Sequence, residues 1–278
     1  MMPLKLMYIT NRPQIAKIVE EAGVDRVFVD MEYIGKSLRQ GGMNTVQNHH
    51  TLSDVKNIAE VLTKADLLVR INPIHESSSS YISSKDEIDQ AIENGAHIIM
   101  LPYFKTVKEV HQFVTLVAKR AKVMLLLETP EAVNVIDEIL QIDGIDEIFV
   151  GLNDLSLGYG KKFMFELLSD GTVEDLADKF RKVNLPFGFG GIASLGKGLL
   201  PSEHIIREHY RLHSSSVILS RSFCNVNKMN DIQEVERIFK QGLREIREFE
   251  KSCMDCSKLD DNPKTIHALV KRICEGLI

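Results

Sequence analysis

Two acids are set apart by what precedes them. Glu128 closes the apolar run VMLLL, and Asp154 follows IFVGLN, both within LLLETPEAVNVIDEILQIDGIDEIFVGLNDLSLG. A carboxylate at the end of a buried run is costly to desolvate, and two such groups brought together repel unless a cation lies between them. A hard divalent ion such as Mg²⁺ suits that pair, because it takes few protein carboxylates and leaves positions for water and substrate oxygens. Arg70, after DLLV, adds a planar cationic fork able to hold a carboxylate or a developing enolate. The stretch Gly151, Leu152, Asn153, Asp154 adds backbone N–H groups as a second place for a substrate carboxylate. A metal plus an arginine around an α-keto acid is a layout for enolate chemistry. Each residue also has a plainer reading. The acids could cap helices, and Arg70 could be an ion-pair partner of Asp30 or Glu32.

Elements must bring these residues to one place. Short apolar runs at 5–9, 25–30, 66–71, 97–101, 122–128, 147–151, 186–191 and 216–220 read as strands. Stretches with helical spacing lie between them. RPQIAKIVEEAG stops at Gly23, SDVKNIAEVLTK opens on Ser53 as N-cap, and TVKEVHQFVTLVAKR opens on Thr106 with Glu109 three residues on. TPEAVNVIDEIL starts with Thr129 and Pro130. Near-continuous apolar strands alternating with helices imply a parallel sheet covered on both faces. Eight such units in 278 residues suit an α/β (β/α)₈ TIM barrel, one domain over 1–278. The alternative is an open doubly wound sheet, weakened by the lack of G-x-G-x-x-G after the first strand. Two further helical segments, about 230–252 and 263–276, extend the chain beyond the barrel.

In a barrel of this kind chemistry sits where strands end at their C-termini. Those ends carry Asp30, Glu32 and Tyr33; Arg70 and Asn72; Glu128; Asn153 and Asp154; a glycine-rich stretch with Gly188, Gly190 and Gly191; and Arg221. The glycines read equally as a tight corner or as room for substrate, and Arg221 as a substrate contact or a strand-end residue.

Composition excludes other classes. The formal net charge of −5 offers no basic footprint for nucleic acid, and no run of about 18 apolar residues predicts a membrane span. MMPLKLMYITNRPQ lacks the layout of a signal peptide, and four scattered cysteines do not form a disulfide scaffold. A reduced, cytoplasmic protein is expected. Cys253 and Cys256 have C-x-x-C spacing but no second pair, so chance spacing on a helix is the simpler reading. The serine run HESSSSYISSKDE reads as a lid or a plain loop, and Phe163 and Phe165 as core by default.

VFVDMEYIGKSLRQ, LVRINP, AIENGAHIIMLPYFKTVKEVHQFV, LLLETPEAV and IDEIFVGLNDLSLGYG occur in that order. Together they resemble the HpcH/HpaI aldolase and citrate lyase beta-subunit family of the phosphoenolpyruvate/pyruvate superfamily. The resemblance implies a (β/α)₈ barrel, a Mg²⁺ or Mn²⁺ ion, and reversible carbon–carbon cleavage leaving a pyruvate-like or acetyl-type enolate. It also implies a homo-oligomer, with the helices of about 228–278 as packing elements. By position, Glu128 and Asp154 resemble the metal ligands, Arg70 the enolate-stabilising arginine, and the backbone at Gly151, Leu152 and Asn153 the carboxylate site. Asp30 and Glu32 resemble the acids near the metal-bound water.

One position departs from the pattern. The pyruvate-aldolase branch carries Asp-Gly-Glu-His after strand two, whereas this chain reads Asp30-Met31-Glu32-Tyr33. The polar loop GKSLRQGGMNTVQNHHTLSD offers His49 and His50 as replacements for the acid–base group. Three functions follow: a metal-dependent aldolase on an α-keto acid; a citryl- or malyl-CoA-type lyase or condensing enzyme, with Lys36, Arg39, Lys161 and Lys162 as candidate cations; or a barrel that has lost catalysis and binds or assembles.

Overall fold

The computed structural model describes residues 2–35, 48–229, 231–254 and 259–277. Eight parallel strands close into a barrel in chain order. They are β1 (Lys5–Ile9), β2 (Arg26–Asp30), β3 (Asp66–Arg70), β4 (Ile98–Leu101), β5 (Lys122–Leu127), β6 (Glu147–Val150), β7 (Phe187–Ile192) and β8 (Ser216–Leu219). The apolar runs read from sequence coincide with these strands to within about one residue at each end, the scatter inherent in element boundaries.

The helices among the described residues are α1 (Pro13–Ala22), α2 (Leu52–Ala59), α3 (Ser84–Glu93), α4 (Val107–Val117), α5 (Pro130–Asn134), α6 (Ile136–Ile139), α7 (Leu152–Gly158), α8 (Glu166–Ser169), α9 (Thr172–Lys182), α10 (Ser202–Leu212), α11 (Ile232–Ser252) and α12 (Asn262–Cys274). None is long and apolar enough to cross a membrane. Helix α4 opens on the expected capping box of Thr106 and Glu109. Helix α2 starts earlier than predicted. Thr51, not Ser53, is its N-cap, because Asp54 returns the hydrogen bond to the Thr51 N–H at 2.7 Å, whereas the residue three beyond Ser53 is Lys56. Thr129 caps α5 as expected, but the predicted continuous helix breaks at Val135 (φ −111°, ψ 16°) into α5 and α6. The β-branched residues Val133, Val135 and Ile136 weaken helix propagation there.

Contacts divide the chain into two compact units, one comprising Ile9–Glu20 and Asp25–Ile148, the other Met1–Tyr8, Glu21–Val24 and Phe149–Ile278. In the first unit every residue of β2 is buried. Period-two alternation puts Arg26, Phe28 and Asp30 on one face and Val27 and Val29 on the other. Both charged ends of that face are paired. Arg26, 1% exposed, donates through Nη1 and Nη2 to the two carboxylate oxygens of Glu147 at 2.8 and 2.5 Å. The partners stand at the starts of β2 and β6, which are far apart in strand order, so the bond runs through the barrel interior. At the other end, the β2–β3 register sets Asp30 beside Arg70.

In the second unit, the buried Glu250 of α11 ties three segments together. Its Oε1 accepts from the Leu4 N–H (2.8 Å) and the Tyr210 hydroxyl (3.1 Å), and its Oε2 from Arg247 Nη1 (2.8 Å). Helix α12 packs on α8 and α10 of its own chain. Its first residue, Asn262, donates to the His204 carbonyl (3.0 Å) and to Glu208 Oε2 (2.9 Å). The glycines of β7 answer to packing. A Cβ on Gly188 would lie 2.4 Å from the Ser216 carbonyl oxygen, and one on Gly190, whose φ is +56°, 2.9 Å from Leu152. Phe165 is buried in the core, and the half-buried Phe163 meets its ring edge-on at 5.3 Å.

Candidate active site

The C-terminal end of β2 gathers a charged constellation. Asp30 is fully buried, and its carboxylate accepts from Arg70 Nε (2.7 Å) and the Glu32 N–H (3.2 Å) on Oδ1 and from Arg70 Nη2 (2.7 Å) and Asn48 Nδ2 (2.9 Å) on Oδ2. Glu32 Oε2 lies 3.3 Å from Arg70 Nη1, and the guanidinium carbon sits 5.6 Å from the Phe28 ring centroid. Burial works against the Arg70 charge, but Asp30, Glu32 and, more weakly, Glu128 outweigh it and hold its pKa above the ordinary arginine value. The ion-pair reading of Arg70 is the one this geometry displays. It is ion-paired, and the bidentate pairing with Asp30 fixes the plane of its fork.

The loop after β2 supplies two further residues. Asn48 binds the Asp30 carboxylate, and the Asp30 N–H donates to His50 Nδ1 at 3.0 Å. With Nδ1 accepting, a neutral imidazole carries its proton on Nε2 and offers a donor there, not a lone pair. His49 is exposed and makes no hydrogen bond or ion pair among the described residues. Lys36 and Arg39 lie outside the described residues, as does Cys256.

Beyond β3, Asn72 holds the chain that leaves β2. Its Oδ1 accepts from the N–H groups of Tyr33 and Ile34, both at 3.0 Å, and its Nδ2 donates to Glu87 Oε1 at 2.8 Å. Burial pushes the Glu87 carboxyl up, against the opposing effect of the Asn72 donors and of His75.

At the end of β5, Glu128 is buried and accepts the Tyr103 N–H on Oε1 at 3.0 Å. Tyr103 has a left-handed backbone (φ 50°), unusual for a residue with a side chain. The hydroxyl that caps α5 belongs to Thr129, so Glu128 is free of the capping role considered from sequence. In the second unit, Asp154 lies in the first turn of α7, whose N-cap, Gly151, offers no side chain to cap it. Asn153 Nδ2 donates to Asp154 Oδ1 at 3.1 Å, and the Leu152 side chain is buried. Arg221, past β8, is exposed and forms no ion pair among the described residues, while Lys161 pairs with Asp170 at 2.7 Å. Sequence reasoning did not assign Asn48 or the Tyr103 amide to the site. Asn48 had a signal in its place beside His49 and His50; a main-chain donor such as that of Tyr103 leaves none.

Residues 5–166 match the model of the HpcH/HpaI aldolase/citrate lyase family, more than half of the chain. The chain belongs to this family. Its members are aldolase- and citrate-lyase-type enzymes, acting on small molecules and in general dependent on a divalent metal. No curated protein sequence matched the chain. Among solved structures, an HpcH/HpaI aldolase/citrate lyase family protein from Burkholderia cenocepacia J2315 is similar at 16% identity and a TM-score of 0.60, over 84% of this chain and 94% of its own. An HpcH/HpaI aldolase from Desulfitobacterium hafniense DCB-2 is similar at 16% identity and 0.59, over 88% and 93%. The citrate synthase SbnG is similar at 15% identity and 0.57, over 87% and 92%. At these identities the likeness is one of fold.

The donor set suits the metal that the family implies. Three carboxylates, of Asp30, Glu32 and Glu128, act on the single guanidinium of Arg70, so the ionised cluster carries an excess of negative charge that a divalent cation would offset. The ligands on offer are hard oxygens. Among the described residues no group of three or more His, Cys, Asp or Glu is arranged as a metal cage.

Proposed function

We propose that the protein is a divalent-metal-dependent carbon–carbon lyase that forms or opens a bond to the enolate of an α-keto acid such as pyruvate. One observation carries the reading: Arg70 is held bidentately by Asp30 amid an excess of carboxylates. In this reading Glu128 and Asp154 hold the ion, Mg²⁺ or Mn²⁺, which when bound supplies Lewis-acid polarisation of the keto oxygen. Backbone N–H groups at Gly151, Leu152 and Asn153 orient the substrate carboxylate.

Arg70 has five N–H groups, and Asp30 engages two of them. Glu32 lies near Nη1, and the N–H groups that neither acid engages serve the enolate oxygen. Asp30 acts as a positioning residue, because taking a proton would break one of the hydrogen bonds its carboxylate accepts. Glu32, which meets Arg70 at the longer 3.3 Å, is assigned to accept the proton of the partner hydroxyl. As that proton leaves, the carbon–carbon bond opens and its electrons pass to the enolate. His50, held by the Asp30 N–H on Nδ1, is assigned to the polar surroundings of the oxygen that bears the developing charge. Self-association through the helices of about 228–278 belongs to the same reading, using faces of α12 other than those packed on α8 and α10.

The test is exchange of the pyruvate methyl protons in D₂O, followed by NMR. Exchange should require Mg²⁺ and slow by roughly ten- to hundredfold in Arg70→Lys, since an ammonium cannot reproduce the planar fork. Exchange indifferent to both chelator and Arg70→Lys removes the proposal. Absence of exchange together with cleavage of a citryl- or malyl-CoA substrate transfers it to the acyl-CoA reading.

His50 is tested by two isosteres. Gln places its amide donor near the Nε2 position, whereas Asn reaches only as far as Nδ1. His50→Gln is expected to keep most of the turnover and the pH profile. His50→Asn keeps the bond to the Asp30 N–H but should lose roughly tenfold, about 1.4 kcal/mol for one hydrogen bond to a charged oxygen. If His50 were a general base, both variants would lose a limb of the pH profile instead.

A further inference from the structure

We infer that Tyr33, Tyr81 and Ile82 form a subsite for an aromatic or similarly broad apolar group on the partner that reacts with the enolate. The inference deepens the proposed function and rests on it for the identity of the reaction. Tyr33, Tyr81 and Ile82 are 39%, 37% and 42% exposed, large side chains left in water together. The Tyr33 and Tyr81 rings meet at 5.6 Å between centroids, tilted by 46°, and His75 lies edge-on to Tyr81 at 6.3 Å.

The wall is built, although two of its three members come from a serine-rich loop. Ser78 closes a turn, its N–H on the Tyr81 carbonyl at 2.9 Å and its Oγ accepting the Tyr81 N–H at 3.2 Å. The His75 ring lies within hydrogen-bond distance of the Pro73 carbonyl (2.7 Å, Nδ1) and the Ile82 carbonyl (2.8 Å, Nε2). The Ser84 N–H donates to the His75 carbonyl at 3.1 Å, and the His75 N–H donates to Ser84 Oγ at 2.8 Å. A loop tied at so many points has its side chains placed, so the exposed rings are a fixed surface rather than a chance of solvation.

Continuity with the charged cluster selects the occupant. Tyr33 directly follows Glu32, which touches Arg70, and its N–H is held by Asn72, two residues beyond Arg70. One short segment thus carries both Glu32, which meets Arg70, and Tyr33, which meets Tyr81, and this continuity selects a small molecule reacting at Arg70 as the occupant. Burial, then Glu87 and Tyr81, push the Tyr33 phenol up, so it stays a neutral donor beside the apolar surface. Two tilted aromatic faces with an isoleucine favour a flat apolar group, which gains stacking beyond its area.

The experiment compares pyruvate condensation with phenylacetaldehyde and with acetaldehyde. Tyr81→Ala should lower the ratio of kcat/KM for phenylacetaldehyde over acetaldehyde by about five- to tenfold, the worth of one aromatic contact. Tyr81→Phe should keep the ratio. A ratio unchanged in Tyr81→Ala overturns the subsite. Saturation-transfer NMR with 3-phenylpropionate supplies a readout independent of turnover. Ring-proton saturation that weakens in Tyr81→Ala supports the subsite even if neither aldehyde reacts, in which case the enolate reading alone has failed. No saturation in the parent protein overturns the subsite even if the enzyme is active.

Discussion

Glu128→Gln is expected to lower turnover at least a hundredfold, the scale of losing one charge that stabilises a transition state, and to weaken Mg²⁺ binding. The substitution isolates the charge. Gln keeps the shape of Glu and can still accept the Tyr103 N–H that meets Oε1 at 3.0 Å. Stability should be unchanged or slightly raised, because a buried amide is desolvated at less cost than a buried carboxylate. The measurement is kcat/KM against Mg²⁺ concentration, with metal affinity by calorimetry and the unfolding midpoint as a control. Normal turnover together with normal Mg²⁺ affinity in Glu128→Gln would falsify the assignment of this residue as a metal ligand. A fall in turnover that excess Mg²⁺ restores supports it, since weaker binding is then overcome by mass action.

The largest effect on stability is expected at the opposite end of β2. Arg26→Met strips the buried Glu147 of two guanidinium hydrogen bonds. Breaking a buried pair from one side costs about 3–5 kcal/mol, which for a chain of this size lowers the midpoint of unfolding by roughly 5–10 °C. Replacing both partners, as in Arg26→Met with Glu147→Leu, should recover most of the loss, because neither charge is then buried alone. Thermal unfolding of the three proteins decides between this and a surface-like pair. Equal, small shifts for the single and the double variant would show that Arg26 and Glu147 do not act as a unit. Arg26 Nε has no acceptor among the described residues, so part of the desolvation of this group is already uncompensated.

The two ends of β2 share one design. Arg26 and Asp30 stand two turns of the pleat apart on the same face, one paired across the barrel and the other with the neighbouring strand. The lower pair secures the fold, and the upper pair aims a cation. Asp30 thus changes meaning between sequence and structure. As a lone acid at a strand end it is a candidate base; with donors on both carboxylate oxygens it is what orients Arg70 and receives Asn48.

The strands could be read from sequence because a parallel sheet covered on both faces needs near-continuous apolar runs, and VMLLL or IIML can hardly be anything else at that length. The start of α4 was equally local, since Thr106 and Glu109 bond each other across one turn. The placing of Asp30, Glu32, Arg70 and Glu128 at strand ends followed from the same runs. Other features depend on closure of the barrel and on loops returning to it. Arg26 and Glu147 are 121 residues apart, and nothing near either one names its partner. His49 and His50 are equivalent in sequence, yet only His50 meets the Asp30 N–H, because the direction of the chain at a loop end decides which of two adjacent side chains turns inward. Tyr33 and Tyr81 meet only because Asn72 holds one segment while Ser78 and His75 shape the other. The repeating units, and the acids and arginine that end them, were legible from residue order, since these rest on local periodicity. Tertiary structure alone decided which of those groups are bonded to each other, since hydrogen bonds between distant segments form only once the barrel has closed.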